Sequence, residues 1–225
     1  ADSTCIDAAA ATAAAERLIT SDKVVGIMGA DCSGFTTAIA NNVAMTNEVK
    51  IVYHSATSPA LTTIADNGYF FRTAPSDARQ GQVLAQITME RGFNDVAVTF
   101  INNDYGKGLS DSFINAYKGL GGKVSAVVPH EADKADFSAE VAALNASGAS
   151  ILAVFGYVDQ GGNHIIQGSI DSGAFDKFIL ADGMFGESLL KNIDGDLSGT
   201  FGTVPGTDSK GAASFAKMAT SAGIK

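Results

Sequence analysis

Apolar runs alternate with helical stripes along most of the chain. Lys23–Ala30, 49–54, Asp95–Ile101, Lys123–Val128, Ile151–Phe155 and Lys177–Leu180 are short runs rich in branched residues, as buried strands are. Between them, helices are predicted over 34–47, 78–92, 106–120, 135–147, 161–173 and 186–193. Leu109, Phe113, Ala116, Tyr117 and Leu120 form one apolar stripe, and Gly92, Gly148 and Gly173 stop their helices. The Ala-rich segment 6–20 predicts a leading helix with Asp7 able to cap it. A last helix is expected over 208–222, with Phe215, Met218 and Ala219 inward. Strand–helix alternation with apolar strands implies parallel sheets covered on both faces.

The rhythm breaks at 58–77, where Asp66-Asn67-Gly68 marks a turn and Ser76 or Asp77 can cap a new helix. It breaks again at 200–208, around Pro205-Gly206. Two crossings imply two α/β lobes: residues 1–74 with 204–225, and residues 75–203. A cleft between lobes joined by more than one crossing works as a hinge.

Composition narrows the partners. With 46% hydrophobic and 17% charged residues, the chain can build a real core. A net charge of −9 lacks the clustered Lys and Arg that nucleic acid or an anionic membrane surface requires. No apolar run reaches the roughly 20 residues of a bilayer span. No signal peptide is visible; the start at Ala1-Asp2-Ser3-Thr4-Cys5 suits the end of a strand whose first half is missing. Cys5 and Cys32 follow adjacent strands; spacing alone leaves a disulfide and two free thiols equally open.

The candidate chemistry lies at strand ends. Ile51-Val52-Tyr53 runs into His54-Ser55-Ala56-Thr57-Ser58-Pro59, and Gly26-Ile27-Met28-Gly29 into Asp31-Cys32-Ser33-Gly34. Hydroxyls and free N–H groups at the carboxyl ends of neighbouring strands suit an anion. In the second half the strand ends carry Tyr105, Tyr157 and Asp182. Together these suit a zwitterion, its carboxylate on the first lobe and its ammonium on the second. A phosphate loop, a nucleotide-binding glycine motif and a nucleophile elbow are all absent, which disfavours an α/β enzyme. His54, His130 and His164 share no ligand spacing and read as surface or loop residues, not as metal ligands.

The ordered set Asp2-Ser3-Thr4-Cys5, Gly29–Gly34, Ser55–Thr62, Phe71-Arg72-Thr73-Ala74, Asp104–Gly108 and Asp136-Phe137-Ser138 resembles the leucine/isoleucine/valine-binding proteins, type I periplasmic binding proteins of ABC transporters. The resemblance implies a two-lobed clamshell that closes on an amino acid and delivers it to a membrane permease from a periplasmic or extracellular location. By motif position, Ser33 and Thr57, with the backbone at Ser55 and Ala56, would hold the ligand carboxylate. Tyr105 and Tyr157 would close from the second lobe, and Asp182 would take the ammonium. It implies a Cys5–Cys32 disulfide and no cofactor or metal. It also implies a first lobe incomplete at both chain ends. A receptor sensor domain with the same clamshell, or a binder of an amide, urea or aromatic carboxylate, are the alternative readings.

Overall fold

The structure, a computed structural model, describes residues 5–206 and 211–224. Expectations on 1–4 and on 208–210 fall outside that range. Two parallel sheets organise the chain. The first has the order β1-β2-β3, from β1 (Gly26–Met28), β2 (Lys50–Tyr53) and β3 (Phe70–Arg72). The second has the order β5-β4-β6-β7-β8, from β4 (Asp95–Ile101), β5 (Lys123–His130), β6 (Leu152–Phe155), β7 (Phe178–Leu180) and β8 (Phe201–Gly202). Helices α1 (Ala8–Thr20), α2 (Ser33–Ile39), α3 (Asp77–Glu90), α4 (Asp104–Gly119), α5 (Ser138–Asn145), α6 (Asn163–Asp171), α7 (Glu187–Asn192) and α8 (Ala212–Ser221) connect and follow the strands.

The second sheet is covered on both faces, as its strands require. In β6, Ala153 and Phe155 pack with Leu84, Leu109, Phe113 and Tyr117 from α3 and α4. Leu152 and Val154 point the other way, into Val141, Leu144, Ile165 and Ile166 of α5 and α6. This alternation is the period of two of a strand, apolar at every position because both faces are dry. Helices α3 and α4 approach backbone to backbone at Gly81, where a Cβ would stand 2.6 Å from the Phe113 nitrogen. Gly81 is a glycine of packing, not of backbone conformation.

The first sheet departs from the expectation. Its inner face packs Ile51 and Tyr53 against Ala40, Ala44, Ala56 and Leu61. Met28, Val52 and Phe71 on the other face are exposed among the described residues. Helix α8 forms, yet Phe215 and Met218 are 67% and 65% exposed, not inward, because no described element packs on it. Its stripe was correctly periodic; a stripe alone does not supply the surface that covers it. The helix expected over 34–47 runs as α2 and continues through a π-helical turn, Ala40–Ala44.

Of the three histidines, His54 and His164 are exposed as expected and His130 is not. His130 is buried, because β5 runs two residues further than expected and pairs His130 with Ile101. Its Nδ1 lies 2.9 Å from the Thr99 hydroxyl, and burial pushes its pKa down to about 4, so the ring is neutral. His164 stacks on Phe137, and His54 lies 3.0 Å from Asp31. Among the described residues no cluster of His, Cys, Asp or Glu could hold a metal ion, and no helix is long and apolar enough to cross a membrane.

Cys5 and Cys32 form a disulfide with a Cα–Cα distance of 5.7 Å. Closing a loop of 27 residues' separation constrains the unfolded chain and stabilises the first half by about 3 kcal/mol. The Gly81 contact gives a sharper test of packing: Gly81→Val should lower the unfolding free energy by about 2–3 kcal/mol in denaturant titration. A loss under about 0.5 kcal/mol would mean that α3 and α4 do not meet this closely.

Candidate functional site

The strand ends bring the candidate residues together. Because β1 pairs with β2, the loops that follow them lie side by side. They are laced by three contacts: the Ser58 N–H donates to Ser33 Oγ at 3.1 Å, the Ser55 hydroxyl donates to the Asp31 carbonyl at 2.8 Å, and His54 meets Asp31. Ser33 thereby uses one lone pair and keeps its own proton to donate. Ser33 and Thr57 are buried, whereas Ser55 is exposed with its hydroxyl committed to Asp31. The Ala56 methyl is packed in the first sheet's core, so its backbone is what it can offer a ligand.

In the second sheet the order reverses between β4 and β6, the topological switch point where open α/β sheets hold ligands. The segments after these strands carry Tyr105, in the first turn of α4, and Tyr157, whose rings stack with centroids 5.0 Å apart. Tyr105 donates its hydroxyl to Asp182 Oδ1 at 2.9 Å and accepts from the Gly183 N–H at 3.1 Å. Gly183 permits this approach: a Cβ there would collide with the Gly156 carbonyl and the Tyr105 hydroxyl. Burial, then the charges of Asp182 and Asp77, push the Tyr105 hydroxyl well above its ordinary pKa, and Tyr157 is raised in the same way.

A residue that the sequence offered only as a helix cap completes the group. Ser76 is the N-cap of α3, its Oγ accepting from the Ala78 N–H at 3.3 Å. Asp77, the next residue, is fully buried, and neither carboxylate oxygen has a hydrogen-bond partner. Its N–H donates to the Thr57 carbonyl at 2.9 Å, which ties it to the first half. Its carboxyl is pushed up to about 7, by burial first and the Asp182 charge second. The Thr57 hydroxyl and the Arg72 charge pull the other way, although that hydroxyl makes no hydrogen bond of good geometry to it. Arg72 is engaged elsewhere, donating to the Ser58 carbonyl at 2.9 Å and to the Thr62 hydroxyl at 2.7 Å.

Asp77 and Asp182 thus stand close enough for one charge to act on the other, and Arg72 offsets that repulsion only in part. A cavity of about 350 Å³ is lined by Ser33 and Gly34 from one half and by Asp104, Tyr105 and Gln160 from the other; neither Asp77 nor Asp182 lines it. Two larger cavities are present: about 440 Å³ between α5 and α6, away from these loops, and about 570 Å³ at the β7–β8 edge, lined by Ala181 and Met184 on either side of Asp182.

Two parallel sheets flanked by helices, with the candidate loops at the carboxyl ends of their strands, define an α/β protein of the two-lobed binding-protein fold. The sequence profile of the periplasmic binding protein family matches residues 6–223, and the chain belongs to that family. The family is one of solute-binding proteins, not enzymes. The chain is 30% identical over 195 residues to the Leu/Ile/Val-binding protein homolog 1 of Brucella abortus, covering 83% of this chain and 51% of that protein. It is 32% identical over 103 residues to glutamate receptor 2.1 of Arabidopsis thaliana, covering 46% of this chain and 11% of the receptor. Among solved structures, a leucine-binding protein from Thermotoga maritima superposes with a TM-score of 0.77 at 28% identity, covering 84% of this chain and 53% of that one. A solute-binding protein from R. palustris in complex with 4-hydroxybenzoate superposes with a TM-score of 0.71 at 22% identity, covering 79% and 48%, which is a likeness of fold. The chain therefore spans about half the length of these binding proteins, and far less of the receptors.

The buried carboxylate can be tested without a ligand. A folded-state pKa raised above the ordinary carboxylate value means that ionising Asp77 destabilises the protein, progressively from about pH 4 to about pH 7. Asp77→Asn should raise thermal stability, by at most on the order of 4 kcal/mol above pH 7 and much less at pH 4. An equal effect at pH 4 and pH 8 would contradict an uncompensated charge at this position.

Proposed function

We propose that the protein is an extracytoplasmic solute-binding protein that holds an α-amino acid, of the branched-chain type, between two lobes and delivers it to an ABC permease. Residues 1–74 with 204–225 form one lobe in this reading, and 75–203 the other. The observation that carries it is Asp77, a buried and partnerless carboxylate beside Asp182. A ligand ammonium would relieve the repulsion between them. Its three N–H donors would reach the free oxygens of both acids, since the Tyr105 hydroxyl is already committed to Asp182 Oδ1. Tyr105 and Tyr157 supply the wall over the ligand. The Ser33 and Thr57 hydroxyls, with the backbone at Ser55 and Ala56, receive the carboxylate.

The leucine-binding neighbour and the Brucella homologue support a branched-chain ligand. Charge argues against a ligand such as the 4-hydroxybenzoate of the R. palustris neighbour, which would bring a carboxylate and no cation to two buried acids. It argues less strongly against neutral amides or urea. The disulfide fits an oxidising, extracytoplasmic location. A second reading, the ligand-sensing domain of a receptor, is favoured by the glutamate-receptor matches and leaves the same site chemistry in place.

Calorimetric titration of the full chain with leucine, isoleucine, valine, urea and 4-hydroxybenzoate tests the proposal. Binding of the amino acids and not of the benzoate is expected, with Asp182→Asn abolishing most of the affinity. Thr57→Val should weaken binding by about 1–3 kcal/mol if its hydroxyl meets the carboxylate in a dry cleft. An unchanged dissociation constant in Thr57→Val removes that role, and absence of heat with any α-amino acid rejects the ligand class.

A further inference from the structure

The two lobes also touch next to the polar cluster, along one face of α4. Asp104 and Gly108 are four residues apart on that helix and share a face. The Thr37 hydroxyl, on α2, approaches Asp104 Oδ2 at 3.2 Å as well as its own helix carbonyl at Ser33. A Cβ at Gly34 would stand 3.9 Å from the same carboxylate, so the first turn of α2 rests on Asp104. One turn further along α4, Gly108 lies against the helical turn Pro59–Thr62. A Cβ there would come within 2.8 Å of Pro59 Cδ and 3.2 Å of Ser58 Oγ.

Glycine at 108 is not demanded by its own backbone, which is helical. It is the poorest helix former after proline, so within its own helix a larger residue would serve better. What excludes a larger residue is the opposite lobe. Pro59 has a ring fixed in φ and sits at the start of its turn, so it yields less readily than the end of a flexible side chain. Immediately before it lie Ser58, whose N–H is held by Ser33, and Thr57, whose carbonyl receives the Asp77 N–H. Pushing on Pro59 therefore pushes on the loop proposed to receive the ligand carboxylate.

We propose that the Asp104–Gly108 face of α4 is the seat on which the first lobe closes, so that the size of residue 108 sets ligand affinity without touching the ligand. The inference rests on the amino-acid-binding reading above. The apparent affinity of a protein that binds only when closed scales with the population of the closed state. A side chain at 108 props the seat open and lowers that population, while α4 and the core behind it gain from the better helix former. Asp104 acts in the other direction, as a latch for Thr37.

The test uses Gly108→Ala, Gly108→Leu and Thr37→Val in the full chain, with leucine titration, thermal melting without ligand and small-angle scattering. Gly108→Leu is expected to weaken leucine binding about ten-fold or more, Gly108→Ala less, and Thr37→Val by about two- to five-fold, in proportion to the lost closed population. The melting temperatures without ligand should stay level or rise, and the radius of gyration of Gly108→Leu should exceed that of the wild type. Wild-type affinity in Gly108→Leu, or a fall in its melting temperature without ligand, would overturn the seat. If the wild-type chain binds no amino acid, the functional reading fails by itself. The scattering comparison then still decides: a larger radius in Gly108→Leu supports the seat, and an equal radius rejects it.

Discussion

A buried carboxyl with no hydrogen-bond partner, set near a second carboxylate, constrains this molecule more than any other contact. Asp77 is buried at the first turn of α3 with both oxygens unmatched, and Asp182 stands close enough to raise its pKa. Burying a charge in this way is unfavourable unless a cation or a proton joins it. In the free protein the proton serves below about pH 7, where burial and the Asp182 charge put the carboxyl's pKa. Under the proposed reading the ligand's ammonium takes over that place. Affinity is then built from repulsion already present in the empty cleft, relieved by one charged group.

The rest of the fold holds these groups still. The second sheet is packed on both faces, so the ends of β4, β6 and β7 are fixed relative to one another. Tyr105 is locked by the Asp182 carboxylate on one side and the Gly183 N–H on the other, and its ring is backed by Tyr157. On the other half, the Ser33–Ser58, Ser55–Asp31 and His54–Asp31 contacts join two loops into a single unit, and the disulfide anchors its edge. In the proposed reading, preorganised donors and acceptors on the two halves leave closure as the variable, and the contact of α4 with the Pro59 turn is where we place it.

Much of this was legible in the sequence because the signals were local. The runs at 95–101 and 151–155 and the stripe from Leu109 to Tyr117 specify a doubly covered parallel sheet by period alone. The strand-end hydroxyls, Tyr105, Tyr157 and Asp182 were visible as polar groups at the carboxyl ends of strands. Asp77 was visible only as a capping alternative to Ser76, since whether an N-terminal carboxylate faces water or another acid depends on Asp182, over a hundred residues away. His130 was misplaced for a related reason: strand length depends on the partner strand, and β4 carried the pairing on to it. For α8 the pattern gave the helix and its apolar stripe correctly but not its surroundings, since no described element covers Phe215 and Met218. Gly81 and Gly108 are ordinary helix breakers in sequence; that each faces another backbone or ring is a tertiary fact.

The exchange of a proton for an ammonium can be counted. Calorimetric titration of the full chain with leucine at pH 6, in buffers of different ionisation enthalpy, reports the protons displaced per ligand bound. With Asp77 protonated in the empty cleft and ionised beside the ligand, release approaching one proton is expected at pH 6, and almost none at pH 8.5. Binding heats at pH 6 that do not vary with the buffer would contradict the account, because the ligand would then leave Asp77 as it found it.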